Sequence, residues 1–293
     1  MPFALPFPNI DPEIFAFDLF GFHIALRWYA LAYIAGLLLG WRFILILVSH
    51  PALWRAVPIT KKQVEDLMTW IIVGIIVGGR LGFVLFYDFA QFRANPVDIL
   101  KVWQGGMSFH GGFFGVVLAV LLYCRSQKIP VLSIGDAIAA ATPFGLLFGR
   151  LANFIKPELW GRPTDLPWGV SFPDARAQLC PPEWVGECFR HPSQLYEAGL
   201  EGLLLGLVIA WLIWRRGWLK APGRIVGIFF FGYGASRWIV EYFRQPDVQF
   251  TTDQNPIGYI ISFAQTGLTM GQLLSLPMII IGTVMILKIK EKP

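Results

Sequence analysis

The sequence is poor in charge, since Asp, Glu, Lys and Arg make up only 15% of its 293 residues. Soluble domains carry about 25% of these residues. Apolar residues account for 55% of the chain, which includes 25 Phe and 12 Trp. This composition excludes an ordinary soluble domain and indicates an integral membrane protein. The formal charge of +5 does not indicate nucleic-acid binding, because the basic residues are scattered between apolar runs and form no basic stripe.

Cysteine and histidine are also scarce, with three Cys and four His. They form no CxxC pair and no ligand spacing typical of a metal site, so the sequence predicts no metal and no cofactor. Cys180 and Cys188 share one long loop and are equally compatible with a disulfide bond and with two free thiols. The chain also lacks GxSxG, HExxH and a paired-aspartate metal motif. These absences argue against a hydrolase that uses its own nucleophile or a metal.

What the sequence does contain is a series of seven long apolar runs. Each is close to the roughly 17 to 25 residues that cross a hydrocarbon core. The runs cover 24–48, 66–87, 107–123, 133–155, 194–214, 224–242 and 267–287. They predict an all-α integral membrane protein with seven transmembrane helices, built as one membrane-embedded domain over residues 1–293. The segment 156–193 holds seven Pro, too many for a continuous helix, and predicts a small irregular cap.

The distribution of Lys and Arg predicts the orientation, because cytoplasmic loops carry more of them than outer loops do. The loops of one set hold 12 basic residues, among them Lys288, Lys290 and Lys292. The opposite set holds 7. We therefore expect the N-terminus and the cap to lie outside and the C-terminus to lie in the cytoplasm.

Polar residues gather where the predicted helices reach the outer half of the membrane, and each is costly there unless it has a partner or a function. The first stretch is GRLANFIKPELWG, which carries Arg150, Asn153, Glu158 and Gly161. The other stretches are RWY with Tyr29, GGMSFHGG with His110, HPSQLYE at 191–197, and GASRWIVEYFR with Arg237 and Glu241, one helical turn after Tyr233.

Each group also has a purely structural interpretation. Arg237 and Glu241 could form no more than an i,i+4 ion pair. Arg27 is close enough to the interface to extend its side chain to water. His110 among glycines suits a helix start that packs closely. Arg80 in VGGRLGF is interpreted as a structural arginine between small residues.

Taken together, these residues predict an anion site. Five arginines lie inside the apolar runs or at their ends, and few acids accompany them. Guanidinium groups bind phosphate oxygens with paired hydrogen bonds, and phospholipid headgroups are the abundant phosphates of a bilayer. The sequence thus predicts a lipid-phosphate site that opens to the outer leaflet. A histidine near arginines can act as a general base for an incoming nucleophile, which favours transfer to a second substrate.

The competing hypothesis is a membrane transporter or binding protein for an anionic phospholipid or solute. A transporter predicts polar positions through both halves of the membrane. Here they gather mostly on the outer side, and the last apolar run holds almost no charge.

GRLANF followed by ELWG, together with SFHGG, HPSQLYE and GASRWIVEYFR, resembles the prolipoprotein diacylglyceryl transferase family of the bacterial inner membrane. The resemblance covers essentially the whole chain. It implies a multi-pass inner-membrane protein with a periplasmic N-terminus, a periplasmic cap and a cytoplasmic C-terminus. One departure is Lys156-Pro157, where the family usually has Asn and a small residue, and it concerns the loop path between the two motifs.

The implied reaction moves the diacylglyceryl group of phosphatidylglycerol to the thiol of the lipobox cysteine of a preprolipoprotein. It forms a thioether, releases glycerol phosphate and begins lipoprotein maturation. The implied catalytic residues are His110, Arg150, Arg237, Tyr29 and Asn153. The implied residues that bind phosphatidylglycerol are Arg150, Arg237, Asn153, Glu158, Gly161, Tyr233 and Glu241.

For the chemistry we hypothesise that the cysteine sulfur attacks the glycerol carbon that carries the phosphodiester, while two arginines hold the phosphate. The thiol, with an ordinary pKa of about 8.5, must lose its proton. Either His110 removes that proton, or the positive field lowers the thiol pKa and His110 only positions the substrate. We expect Asn153 and Tyr29 to orient the headgroup, and Glu158 and Glu241 to hold the arginines.

Overall fold

The computed structural model describes residues 5–8, 10–19, 22–181, 184–246, 248–252, 254–263 and 266–289. Within these ranges the α-helices are α1 Trp28–Val48, α2 Lys61–Phe86, α3 Phe89–Ala94, α4 Phe109–Gln127, α5 Val131–Ile155, α6 Ser193–Glu197, α7 Leu205–Arg216, α8 Arg224–Val240 and α9 Met270–Lys288. A π-helical segment, Ala198–Leu204, joins α6 to α7. Single 3₁₀ turns cover Pro51–Leu53, Pro96–Leu100, Val102–Gln104, Trp218–Lys220 and Val248–Phe250.

The strands are short and form three separate two-stranded pairs. They are β1 Leu5–Pro6, β2 Glu13–Leu19, β3 Phe22–Arg27, β4 Val170–Ser171, β5 Tyr259–Phe263 and β6 Thr266–Thr269. The β1–β4 pair is parallel, whereas β2–β3 and β5–β6 are antiparallel hairpins. The protein is therefore a helical bundle to which small strand pairs are added.

The prediction of an all-α membrane protein is confirmed. In the described part of the chain, six helical stretches are long and apolar enough to cross a membrane: 28–48, 61–86, 109–127, 131–155, 193–216 and 270–288. The remaining predicted span, 224–242, corresponds to α8, whose 17 residues lie at the lower end of the spanning range. The count of seven is therefore approximate. The orientation stays a prediction, and Lys290 and Lys292, which contributed to it, lie outside the described residues.

Small residues let the helices approach closely. The most extensive helix pairs are α2 with α4, α1 with α5, and α8 with α9. A Cβ added to Gly82 of α2 would lie 2.6 Å from the Gly111 Cα of α4. A Cβ on Gly36 of α1 would lie 2.9 Å from the Gly145 Cα of α5. Such backbone contact is the usual way that helices associate in lipid, where burial of apolar side chains gives little driving force.

The first turn of helix α8 is bound by a side chain of helix α5. Asp136 of α5 has no solvent exposure, and its carboxylate accepts the N–H groups of Gly223 at 2.6 Å and Val226 at 2.9 Å. These are backbone donors that the first turn of a helix leaves unpaired. Asp136 therefore attaches the start of α8 to α5.

The cap, residues 156–193, is held together by hydrogen bonds of both its backbone and its side chains. Its described part contains the two-residue strand β4, and a disulfide bond joins Cys180 to Cys188. Arg190, only 3% exposed, donates hydrogen bonds to the carbonyls of Ala177, Leu179 and Gly161. The cap is thus irregular and lies directly after the end of α5 that carries Arg150.

Candidate functional site

Two arginines from different helices meet at one buried carboxylate. Glu197, at the end of α6, places Oε1 2.7 Å from Arg237 Nη1 of α8 and Oε2 3.1 Å from Arg150 Nε of α5. The Glu197 side chain is 2% exposed, whereas those of Arg150 and Arg237 are 22% and 15% exposed. The carboxylate is therefore buried behind the two guanidinium groups, which keep partial access to the surroundings.

Two further carboxylates extend this contact. Glu241 Oε2 lies 3.0 Å from Arg237 Nη2, so the predicted i,i+4 pair is formed. Glu201 Oε2 lies 3.8 Å from Arg150 Nη2, and the Glu201 side chain has no exposure. Together these side chains form what we call the arginine cluster: Arg150, Arg237, Glu197, Glu201 and Glu241.

Local sequence explains how the cluster is assembled. Gly202 brings the π-helical segment against α5, since a Cβ on it would lie 2.7 Å from the Leu147 Cα. This approach places Glu197 and Glu201 beside Arg150. The second end of the cluster is fixed by α9, because the Thr269 hydroxyl donates to Glu241 Oε1 at 3.0 Å. Thr269 is also the N-cap of α9, so Glu241 lies near the positive end of that helix.

Asn153, Tyr29 and Glu158 form a second polar group one turn further along α5. Asn153 Nδ2 donates to Glu158 Oε1 at 2.8 Å and to the Tyr29 hydroxyl at 3.3 Å. Lys156 Nζ lies 2.7 Å from Glu158 Oε2 and 5.6 Å from the centre of the Tyr29 ring. The carboxylate of Glu158 pairs with Asn153, five residues earlier, and with Lys156, two residues earlier. The expectation that Glu158 holds the arginines is therefore wrong.

Tyr233 lies beside the arginine cluster, whereas Gly161 belongs to the cap. Tyr233 interacts electrostatically with Arg150, Arg237 and Glu201. Gly161 donates its N–H to the His191 carbonyl at 2.8 Å, and a Cβ on it would lie 2.7 Å from the His191 Cβ. Burial lowers the pKa of the His191 imidazole, so the neutral ring is favoured there. Gly161 thus serves close packing of the cap onto the end of the bundle.

His110 stands apart from the cluster. It lies in the first turn of α4, where the Ser108 hydroxyl caps the helix by accepting the Gly111 N–H at 3.2 Å. Its side chain is exposed and touches the Phe109 ring, with centroids 5.7 Å apart. Across the described ranges, no hydrogen bond or ion pair joins His110 to Arg150 or Arg237.

Arg80 and Arg27 take structural positions. Arg80 is 5% exposed and donates to backbone carbonyls of the segment that leads into α4, those of Asp98, Ile99, Lys101, Gly105 and Gly106. The structural interpretation of Arg80 is therefore supported. Arg27 Nη2 pairs with Glu13 Oε1 at 2.9 Å on an exposed surface.

A cavity near the cap does not coincide with the cluster. It has a volume of about 650 Å³ and lies in the cap, where Phe7, Ile10, Pro157, Glu187 and Phe189 contribute to its wall. No arginine is among the described residues that line it. We place the candidate site at the arginine cluster, because buried charged groups without a structural need are the stronger indication of function in a membrane protein.

Comparison with known proteins decides the family. The family model described as prolipoprotein diacylglyceryl transferase matches residues 15–288. The chain belongs to this family. Among curated phosphatidylglycerol–prolipoprotein diacylglyceryl transferases, that of Cereibacter sphaeroides (strain ATCC 17029) is 58% identical over 97% of both chains. That of Ruegeria pomeroyi is 57% identical over 100% of both chains. That of Rhizobium meliloti (strain 1021) is 48% identical over 95% of this chain and 91% of the relative.

In this member of the diacylglyceryl transferase family, sequence reasoning missed two residues of the site. Glu197 was noted only as part of HPSQLYE, and Glu201 was not singled out. The expectation of arginines with few accompanying acids is wrong for this cluster, which holds three carboxylates and two guanidinium groups. The sequence did contain a signal for Glu197 and Glu201, because they are two acids four residues apart inside an apolar run. Each needs a cationic partner in a bilayer.

Proposed function

We propose that this chain transfers the diacylglyceryl group of phosphatidylglycerol to the lipobox cysteine of a preprolipoprotein, and that the arginine cluster binds the lipid phosphate. The names of the relatives supply the reaction. The observation that supports the site is the pair of arginines from α5 and α8 that share the Glu197 carboxylate. Both guanidinium groups are held in place, and both remain partly accessible.

The donors of the two arginines fit a phosphate. Each guanidinium carries five N–H groups in a rigid plane. The ion pairs occupy Nε and Nη2 of Arg150 and Nη1 and Nη2 of Arg237. Within the described part of the chain these are the ion pairs of the two arginines, and we propose that their remaining N–H groups bind phosphate oxygens.

In the transfer, the cysteine sulfur forms a bond to the glycerol carbon, and the bond from that carbon to the phosphate oxygen breaks. The electron pair of the broken bond stays on the phosphate, which leaves as glycerol phosphate, and the thiol proton is released. Arg150 and Arg237 stabilise the charge that grows on the leaving phosphate. Fixed donors directed at growing charge give large effects in a site of low dielectric.

Asn153 and Tyr29 are proposed to orient the headgroup, as part of the polar group completed by Glu158 and Lys156. His110 is proposed to act on the incoming thiol, because its exposed position at the start of α4 leaves it accessible to a second substrate. Two roles remain for it: it removes the thiol proton, or it positions the precursor while the arginines favour the thiolate.

We also propose that the protein lies in the bacterial inner membrane with its N-terminus and cap in the periplasm and its C-terminus in the cytoplasm. The Cys180–Cys188 disulfide supports this orientation, because disulfides persist in oxidising compartments such as the periplasm.

The test is a transfer assay with purified protein in detergent, phosphatidylglycerol and a synthetic peptide that carries a lipobox cysteine. Mass spectrometry should detect a gain of one diacylglyceryl group on this peptide and no gain on a matched Cys→Ser peptide. If phosphatidylglycerol binds but neither peptide gains mass, the protein is a lipid-binding or transport protein and the proposal is wrong.

A further inference from the structure

Glu201 is the least satisfied charged group of the arginine cluster. Its side chain has no exposure, and neither carboxylate oxygen has a hydrogen-bond partner in the described part of the protein. Its ion-pair partner is Arg150, whose Nη2 lies 3.8 Å from Glu201 Oε2. Glu197, one turn earlier, makes two shorter contacts, at 2.7 Å and 3.1 Å. An ionised carboxylate without hydrogen-bond donors depends on nearby cations such as Arg150, so it becomes costly when another anion engages them.

The charge of the cluster changes when a second anion binds. The side chains in direct contact are two arginines and three glutamates, which gives 2 − 3 = −1 if all are ionised. A phosphodiester adds one more negative charge. The groups that interact electrostatically with Glu201 are Glu197, Arg150, Arg237, Arg244 and Tyr233. Arg244, and Arg162, which interacts electrostatically with Glu241, bring the count to 4 − 3 = +1 before the lipid arrives, and the phosphate lowers it to zero.

We propose that Glu201 holds a proton while the lipid phosphate occupies the arginine cluster, so that binding of phosphatidylglycerol takes up one proton. This inference rests on the proposed function of the cluster. Protonation removes the negative charge from a buried carboxylate, neither oxygen of which has a hydrogen-bond partner in the described part of the protein. It also gives Glu201 an O–H group, which can donate a hydrogen bond.

The other two carboxylates are poor alternatives for this role. Glu197 bridges both arginines, and its protonation would break the contacts that hold them. Glu241 pairs with Arg237 at 3.0 Å, accepts the Thr269 hydroxyl and lies near the start of α9, all of which favour its ionised form. Only Glu201 can change its charge without dismantling the cluster.

The affinity for phosphatidylglycerol then depends on pH. Where Glu201 is ionised in the free protein and protonated in the complex, the affinity for phosphatidylglycerol falls by about tenfold for each unit of rising pH. Glu201→Gln has the shape of the protonated acid and cannot ionise. Its affinity should equal or exceed that of the wild type and should not depend on pH over the same range.

The experiment is calorimetric titration of full-length protein in detergent micelles with phosphatidylglycerol, in pairs of buffers that differ in ionisation enthalpy. The difference within a pair reports the protons taken up. We expect uptake that approaches one proton for the wild type, none for Glu201→Gln, and wild-type behaviour for Glu65→Gln, an exposed glutamate on α2. Infrared difference spectra of the wild type should also gain a protonated-carboxyl band on lipid binding, and Glu201→Gln should lack it.

Three results would overturn the inference. The first is that the wild type binds lipid without proton uptake and without the carboxyl band. The second is that uptake persists in Glu201→Gln. The third is that Glu201→Gln loses lipid affinity while it remains folded. The transfer assay separates this inference from the proposed function. If the wild type transfers diacylglyceryl groups without proton uptake, only the role of Glu201 fails, whereas absence of both binding and transfer removes the function and the inference together.

Discussion

Glu197→Gln tests the arginine cluster most directly, because among the described residues only Glu197 forms ion pairs with both guanidinium groups. Its two oxygens lie 2.7 Å from Arg237 Nη1 and 3.1 Å from Arg150 Nε. Glutamine keeps the size of the side chain and one acceptor oxygen, but it turns an NH₂ group toward the other arginine. At least one guanidinium therefore loses its partner and moves.

The magnitude follows from the burial of this contact. Hydrogen bonds to charged groups contribute about 1.5–3 kcal/mol each, and loss of one partner of a buried ion pair costs about 3–5 kcal/mol of stability. Loss of one fixed electrostatic donor from a reacting site typically lowers the rate by about 100-fold to 1,000-fold. We expect kcat/KM for diacylglyceryl transfer to fall by at least about 100-fold, which corresponds to about 2.7 kcal/mol of transition-state stabilisation.

The assay measures initial rates by mass spectrometry of the lipobox peptide, with phosphatidylglycerol below its KM. Glu65→Gln makes the same chemical change at an exposed position and should keep the wild-type rate. A thermal melt of each variant shows how much of the loss comes from unfolding. If folded Glu197→Gln stays within about threefold of the wild type, the arginines do not need Glu197, and our interpretation of the cluster is wrong.

Four further predictions concern the surroundings of the cluster. Asn153→Ala removes two donated hydrogen bonds, each worth about 0.5–1.5 kcal/mol, and should raise the KM for phosphatidylglycerol by about tenfold in the transfer assay. Gly161→Ala places a Cβ 2.7 Å from the His191 Cβ and should lower the melting temperature. Burial lowers the pKa of His191 from 6.5, so the unfolded state binds more protons, and the cap should lose stability as the pH falls below 6.5. Amide exchange in the cap should show this loss, and His191→Gln should abolish its pH dependence. His110→Asn should change the pH profile of transfer while leaving phosphatidylglycerol binding intact, and an unchanged profile would remove His110 as the base.

The helices were the predictable part of the fold, because apolar runs of spanning length have few alternatives to a helix in a bilayer. Their ends were less predictable. Helix α2 begins at Lys61, five residues before the predicted run at 66, because Thr60 and Gln63 form a capping box that a hydropathy count does not register. Helix α9 begins at Met270 for the same kind of reason, with Thr269 and Gln272 as its capping box.

The candidate site was only partly predictable. Arg237 and Glu241 were paired from their spacing alone, since residues four apart share one face of a helix. The partners of Arg150 lie on another helix, so no local spacing identifies them. For Glu158 the sequence suggested a wrong contact, because it lies in the same motif as Arg150. The turn after α5 places its carboxylate against Asn153 instead.

The attachment of α8 to Asp136 has a consequence for how the two arginines meet a lipid. Asp136 anchors one end of α8 to α5, and Glu241 connects the other end to α9 through Thr269. Helix α8 therefore cannot slide along α5, and the spacing between Arg150 and Arg237 is set when the protein folds. A headgroup then meets a preorganised pair of guanidinium groups, so little of its binding energy is needed to arrange them.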